Sequence, residues 1–248
     1  MIKERTSVEG KRVLVTGGTT GIGRAIVQLL AGQGASVLTL GRNADVLNET
    51  LALTKNLPGV VLGLTADVAE RDGIKQIFDE VDAKLGGIDI LIANAGISAG
   101  PLDEANEDDW RYVVETNLVA YMSCAKAAIE RMKTSGGGHL VFISSISAEM
   151  KSPGTSVYAT TKAGIDAFSE TLRKEVADEN IRVSSVQPGS VKSDMQEASA
   201  KEQEEAVAKE EMLSAEEVAE AVHFVVTRSP RCDIVNIRIE PRLEEPRQ

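Results

Sequence analysis

Short apolar runs alternate with stretches of helical period along most of this chain. Residues 11–16, Lys-Arg-Val-Leu-Val-Thr, read as a buried strand. A glycine turn follows, Thr16-Gly17-Gly18-Thr19-Thr20-Gly21-Ile22-Gly23. Ile22, Ile26, Leu29 and Leu30 then recur at helical spacing until Gly32 and Gly34 stop them. The run 36–40, Ser-Val-Leu-Thr-Leu, is a second strand. Strand, glycine turn, helix and strand make one βαβ unit, expected to be right-handed and parallel.

The alternation continues. The pattern predicts a helix over 45–55, a strand over 60–64, a helix over 69–85 closed by Gly86-Gly87, and a strand over 88–93 ending at Asn94-Ala95-Gly96. After a loop with Gly100-Pro101, one long helix is expected over 108–132, with Asn117 inside it and Gly136-Gly137-Gly138 beyond it. Leu140-Val141-Phe142-Ile143 is strand five and leads to Ser144-Ser145. A helix carrying Tyr158 runs to about residue 178, and strand six covers 181–186 before Pro188-Gly189. Ser214 opens a later helix with Glu217 at N3, a capping-box pattern. Residues 234–239 are a last strand of period two. Regular βα alternation predicts an α/β fold, a doubly wound parallel sheet with helices on both faces. No linker divides the chain, so one domain over 1–248 is expected. Thr16, Asp67, Asn94, Ser145 and Pro188 fall at or just beyond strand ends and should converge on one edge of the sheet, where such folds bind ligands.

Composition narrows the partners. Among 248 residues, 38 acidic against 27 basic give a net charge of −11, which argues against nucleic acid and anionic membrane. No apolar run is long enough to span a bilayer. The charged start at residues 1–5 lacks a signal-peptide core, and two cysteines, Cys124 and Cys232, cannot form a disulfide framework, so a reduced, cytoplasmic setting is expected. His139 and His223 stand alone, so no metal site is expected and both are read as structural.

Two stretches carry chemistry. A glycine turn between strand and helix lets the backbone approach a pyrophosphate, while the helix N-terminus supplies unpaired N–H groups and a positive dipole end. Tyr158 and Lys162 stand at i, i+4 and share one helix face. An ammonium beside a phenol favours the phenolate, which makes Tyr158 a candidate proton carrier near neutral pH. Ser144 and Ser145, at the end of strand five, are both placed to meet the same carbonyl oxygen.

With these motifs in this order, the chain resembles the short-chain dehydrogenase/reductase family over roughly residues 11–193. The glycine turn is similar to the family's T-G-x-x-x-G-x-G cofactor motif, and Asn94-Ala95-Gly96 to its N-A-G signature. The resemblance implies a Rossmann-type fold and assigns a catalytic tetrad to Asn117, Ser145, Tyr158 and Lys162. Its spacing selects Ser145 over Ser144, which is left to backbone contacts. It implies that Ser145 donates to the substrate oxygen, Tyr158 moves the hydroxyl proton, Lys162 holds the ribose, and Asn117, through a helix distortion, anchors a relay water. It places the cofactor against Gly17, Thr19, Thr20, Gly21, Ile22, Gly23, Asn43, Asp67, Val68, Asn94, Ala95, Gly96, Tyr158, Lys162, Pro188, Gly189, Val191 and Ser193. Ser193 stands where threonine is usual.

NAD-preferring members end the second strand on a carboxylate; here Gly41 and Arg42 stand there, and a guanidinium suits a 2′-phosphate. NADP(H) is therefore expected over NAD(H), and Gly41→Asp with Arg42→Ile is expected to reverse the preference. Arg24 is a weaker second candidate for that phosphate. Residues 194–213 are expected to form a mobile substrate lid, with a plain solvated helix holding a few apolar residues inside as the alternative that their dense charge suggests. Substrate contacts are expected from Ser145, Ser147, Met150, Pro153, Tyr158 and Met195, while Glu149 and Lys151 are read as exposed. The reaction implied is hydride transfer between NADP(H) and the carbonyl or secondary alcohol carbon of a small molecule. A catalytically silent NADP-binding regulator, and an epimerase or dehydratase, are the alternatives. The intact Ser145, Tyr158 and Lys162 speak against the regulator, and the glycine spacing and short chain against the epimerase or dehydratase. Small and apolar residues on two helices (Val113, Val114, Ala120, Ala125 and Ala128; Ala159, Ala163, Ala167, Phe168 and Leu172) would let helix pairs approach closely across a two-fold axis, and the resemblance implies a four-helix interface there, so at least a homodimer is expected, with a tetramer beyond it. The ending 240–248 departs from the family's V-D-G-G segment.

Overall fold

The computed structural model describes residues 6–196 and 198–243. The charged start at 1–5, Glu197 in the lid segment and the end at 244–248 lie outside the described residues. Seven strands form one parallel sheet in the order β3-β2-β1-β4-β5-β6-β7. They are β1 Arg12–Thr16, β2 Ser36–Gly41, β3 Val60–Thr65, β4 Ile90–Ala93, β5 Gly138–Ile143, β6 Ile181–Pro188 and β7 Asn236–Ile239. The strand order reverses beside β1, between β1 and β4, which is where a doubly wound sheet opens a crevice at its carboxyl edge.

The helices are α1 Gly21–Gly32, α2 Ala44–Thr54, α3 Arg71–Glu80, α4 Glu107–Val114, α5 Ala120–Ser135, α6 Ser156–Glu175, α7 Ala200–Ala208 and α8 Ala215–Val226. Strand side chains alternate between two cores. Leu14, Leu38 and Leu91 pack with Ile77, Ala125, Met132 and Ile165 from α3, α5 and α6. Val13, Val15, Val37 and Ile92 pack with Ile26, Leu30, Val218 and Val222 from α1 and α8. Both faces of the central strands are covered, so those strands read as unbroken apolar runs. The outer β7 keeps the period-two alternation, and the other outer strand, β3, keeps it over its last four residues.

Two predicted helices differ from their outlines. The helix expected over 69–85 begins at Arg71, because Asp67 folds the chain into a turn by accepting Ala69 N–H at 2.9 Å. It ends in a π-turn, Val81–Leu85, before Gly86 at φ +67. The long helix expected over 108–132 extends from Glu107 to Ser135 and is broken by a π-turn, Glu115–Val119, in which Ala120 N–H reaches back to Glu115 C=O. Asn117 sits inside that turn.

The helix faces expected to meet a second copy need correction. Val113, Ala120, Ala125, Ala128, Ala159 and Leu172 are buried within this chain, packed against its own sheet and neighbouring helices. Val119, Met122 and Ala167 remain outward, with Phe168 half-buried. Among the described residues no helix is long and apolar enough to cross a membrane.

Candidate active site

The carboxyl ends of β1, β2, β3, β4 and β5 line one cleft, together with parts of α1, α4 and α6. Its floor is the glycine turn. Gly17 has φ +64, and a Cβ there would lie 2.8 Å from Ala95 Cα. A Cβ at Gly23 would fall inside the van der Waals shell of the Gly17 carbonyl oxygen. Both positions therefore require glycine. The turn is braced from β4: Asn94 Nδ2 donates to the Thr16 and Gly17 carbonyls, each at 3.0 Å. Thr16 Oγ1 accepts Asn94 N–H at 3.0 Å and Ala95 N–H at 3.1 Å.

Helix α1 starts against this floor. Its N-cap, Thr20, makes no side-chain cap bond, and its first turn carries no acidic residue. Helices α2, α4, α7 and α8 all have side-chain caps. The first N–H groups of α1 thus face the cleft uncapped, beside a backbone concavity that side chains would fill. That donor set fits a dinucleotide pyrophosphate.

At one end of the cleft stand Arg42, Asp67, Val68 and Tyr112; at the other stand Ile143, Ser144, Tyr158, Lys162, Ser193 and Met195. Lys162 is buried. Its Nζ donates to the Ile143 carbonyl at 2.9 Å and lies 5.6 Å from the Tyr158 ring centre and 5.5 Å from that of Tyr121. Burial pulls its pKa down to about 8, weakly opposed by Asp166. Asp166 is held by Ser185 Oγ and Gln187 Nε2, both donating at 2.7 Å. Ser145 Oγ accepts Ser147 N–H at 3.1 Å with a lone pair, which leaves the hydroxyl proton to be donated. Ser144 Oγ donates to the Lys162 carbonyl at 3.2 Å, the backbone contact expected of it.

Asn117 is fully buried. Its amide closes a two-way bond with Ile97, accepting N–H at 2.9 Å and donating to C=O at 2.8 Å. That pins the Asn94-Ala95-Gly96 loop to the π-turn. A Cβ built on Gly96 would meet Asn117 Oδ1 at 3.5 Å and Lys162 Nζ at 3.8 Å, so the two side chains share one corner.

Of the residues expected at the cofactor, Gly17, Thr19, Thr20, Gly21, Ile22, Gly23, Arg42, Asp67, Val68, Asn94, Ala95, Gly96, Tyr158, Lys162 and Ser193 line the cleft. Asn43, Pro188, Gly189 and Val191 are not among the lining residues and make contacts of their own. Asn43 caps α2, its Oδ1 accepting from Asp45 and Val46 N–H. Gly189 N–H donates to the Ile239 carbonyl, which ties the end of β6, with Pro188, to β7. Val191 is buried and bridges to Leu213. Among the expected substrate contacts Met195 lines the cleft, whereas Ser147 is buried and Met150 Sδ accepts from Arg238 at 3.3 Å. Arg24 is half-buried rather than fully solvated: it bonds the Thr19 carbonyl at 2.7 Å, Thr50 Oγ1 and Glu49, bracing the turn from outside. His139 is buried on Ser184, and burial pushes its pKa down to about 3.

Sequence reasoning missed Leu40, Ala66, Ile97, Tyr112 and Thr116 on the cleft wall. Tyr112 had one available signal, a hydroxyl-bearing aromatic five residues before Asn117. It also missed Gln203, because the inward residues of that segment were expected to be apolar. Gln203 is buried on α7 and accepts Ser193 N–H at 2.9 Å.

The comparisons agree with this geometry. The family described as short chain dehydrogenase matches residues 11–204. A 3-oxoacyl-acyl-carrier-protein reductase of Chlamydia pneumoniae is 38% identical over 75% of this chain and 75% of its own. That of Escherichia coli K12 is 34% identical over 88% and 91%. Among solved structures, L-sorbose reductase from Gluconobacter frateurii, complexed with NADPH and L-sorbose, superposes with TM-score 0.87 at 27% identity, covering 95% of this chain and 97% of that one. A short chain dehydrogenase from Burkholderia cenocepacia J2315 in complex with NADP superposes at 0.85 with 31% identity, covering 95% and 98%. A glycine turn, a Tyr158–Lys162 helix and a seven-stranded parallel sheet, with these relatives, make this chain a member of the short-chain dehydrogenase/reductase family of oxidoreductases.

Proposed function

We propose that this chain interconverts a carbonyl and a secondary alcohol on a small molecule, with NADP(H) as its partner and Tyr158 as general acid/base. The reading rests on one observation: Tyr158 and Lys162 share a single cleft with the glycine turn and Arg42. The nicotinamide, when bound, supplies or accepts the hydride. Everything else falls to side chains of this chain. The α1 N-terminus and the glycine turn bind and orient the pyrophosphate. Arg42 holds a 2′-phosphate with bidentate donors, in keeping with the relatives solved with NADP or NADPH. Ser145 donates to the substrate oxygen, and Tyr158 gives it a proton on reduction or takes one on oxidation. The Lys162 ammonium stabilises the phenolate that remains and reaches for ribose hydroxyls. Asn117 keeps the Ile97 loop and Lys162 in register.

On this reading all of 1–248 serves one nucleotide-binding domain, 194–213 closes over the substrate, and the enzyme works in the cytoplasm as a homo-oligomer. The curated relatives act on 3-oxoacyl thioesters by name and a structural neighbour on a ketose. The test is therefore a panel of 3-oxoacyl thioesters, ketoses and simple ketones with NADPH and NADH, and the matching alcohols with the oxidised forms. Consumption of NADPH by at least one class is expected. Binding of NADPH with no turnover in either direction would overturn catalysis in favour of a nucleotide-binding regulator.

A further inference from the structure

One side chain links Arg42 and Asp67 in the cleft. Tyr112, half-buried on α4, accepts from Arg42 Nη1 at 2.6 Å and donates to Asp67 Oδ2 at 2.6 Å. The polarity of this bridge is fixed, since a guanidinium only donates and a carboxylate only accepts. Burial and Asp67 both raise the Tyr112 pKa, which keeps the phenol protonated and able to donate. The guanidinium carbon lies 5.6 Å from the ring centre, so the hydroxyl is the principal contact. Three elements meet here: β2 supplies Arg42 just beyond its end, Asp67 follows β3, and α4 carries the tyrosine.

The bridge has a consequence for selectivity. Arg42 and Asp67 line the same cleft with opposite charge, and a direct pair between them would neutralise the cation that a 2′-phosphate needs. The Tyr112 hydroxyl stands between them. It occupies one guanidinium N–H and leaves the others to be presented. It also occupies Asp67 Oδ2, while Oδ1 accepts Ala69 N–H at 2.9 Å, so both carboxylate oxygens are engaged. We infer that Tyr112 is a positioning residue for cofactor selectivity, a spacer that keeps Arg42 available to a 2′-phosphate by holding it off Asp67. This rests on the reading that Arg42 selects NADP(H) and extends it to a residue on a different element.

The test is binding, not turnover. Dissociation constants of NADPH and NADH, and of 2′-AMP and 5′-AMP, are measured by titration for wild type, Tyr112→Phe, Arg42→Ala and the double variant. Tyr112→Phe keeps the ring and removes only the bridge. It is expected to weaken NADPH and 2′-AMP about tenfold, the worth of one charged hydrogen bond, and to change NADH and 5′-AMP less than twofold. In the Arg42→Ala background the same substitution should leave the NADPH-to-NADH ratio where it is, because the tyrosine acts through the arginine. A general loosening of the cleft would weaken both cofactors alike and would overturn the inference. So would a ratio that moves with Arg42→Ala but not with Tyr112→Phe, which leaves the cofactor reading standing. A ratio unmoved by Arg42→Ala overturns that reading and the spacer with it.

Discussion

Lys162 gives up part of its basicity to sit where it does. Its ammonium is buried between Tyr121 and Tyr158 with the Ile143 carbonyl as its hydrogen-bond acceptor, and burial holds its pKa at about 8. The charged form, which can serve the phenolate and the ribose, therefore dominates at neutral pH and is lost as pH rises through about 8. Tyr158→Phe separates the two residues. Turnover should fall about 10²–10⁴-fold while NADPH still binds, and near-normal turnover would remove Tyr158 from the mechanism. In that same variant the tyrosine no longer titrates, so the NADPH dissociation constant should rise with pH through about 8 as Lys162 deprotonates. A flat profile from pH 7 to 10 would mean that the ammonium does not contact the nucleotide. The i, i+4 pair was legible in the sequence because one helix fixes its geometry. Arg24 was not. Whether an arginine faces solvent or a carbonyl depends on where α2 packs, and no local pattern states that. Gly41 shows the same limit. A Cβ there would lie 2.5 Å from Thr19 Cγ2 and 2.6 Å from its Oγ1, so the Gly41→Asp exchange expected to favour NAD also displaces Thr19.

Elements whose faces are covered on both sides announced themselves, and so did one capped helix start, whereas the caps at Asn43, Asn106 and Ser199 went unread. The apolar runs became β1, β2, β4, β5 and β6, and Ser214 with Glu217 formed the capping box expected. The π-turn at Val81–Leu85 was not visible; that at Glu115–Val119 was foreshadowed only by the family resemblance, which implied a distortion at Asn117, since the apolar spacing carries through it without a proline or glycine to mark the break. The charged segment after residue 194 was harder still. Its composition predicts a solvated helix, and α7 is one, but the residue that faces inward is an amide. Gln203 Oε1 accepts Ser193 N–H at 2.9 Å and Nε2 donates to the Ala198 carbonyl at 2.8 Å. Gln203→Met would keep the volume and strand two backbone groups, at roughly 1–3 kcal/mol each where they are buried. Trypsin cleavage at Lys201 and Lys209 is expected to accelerate about tenfold or more, with cuts elsewhere unchanged. Equal rates in variant and wild type would mean that the amide does not pin the segment.

At the scale of the whole molecule, what the sequence could not tell was which apolar residues the chain uses up itself. Val113, Ala120, Ala125, Ala128, Ala159 and Leu172 are consumed by the parent core, which weakens any assembly argument made from them. What remains outward on these helices is smaller. Leu118 lies against Gly164, where a Cβ would meet its methyls at 3.1 and 3.2 Å, so the π-turn rests directly on α6. Val119 and Met122, each 39% exposed, continue from that contact, with Ala167 and half-buried Phe168 on α6 beside it. Leaving this face in water is unfavourable in proportion to its apolar area, and a two-fold axis through it would bury it against itself. Light scattering at micromolar concentration should therefore return twice or four times the mass of one chain. Met122→Lys would place one buried ammonium from each copy at such an axis, and should shift the dimer towards monomer while NADPH binding persists. A wild-type mass of one chain would refute the assembly outright. A dimer untouched by Met122→Lys would move the interface to the opposite flank, where Phe224 of α8, 40% exposed with the Arg228 guanidinium 4.0 Å above its ring, is the next apolar residue available.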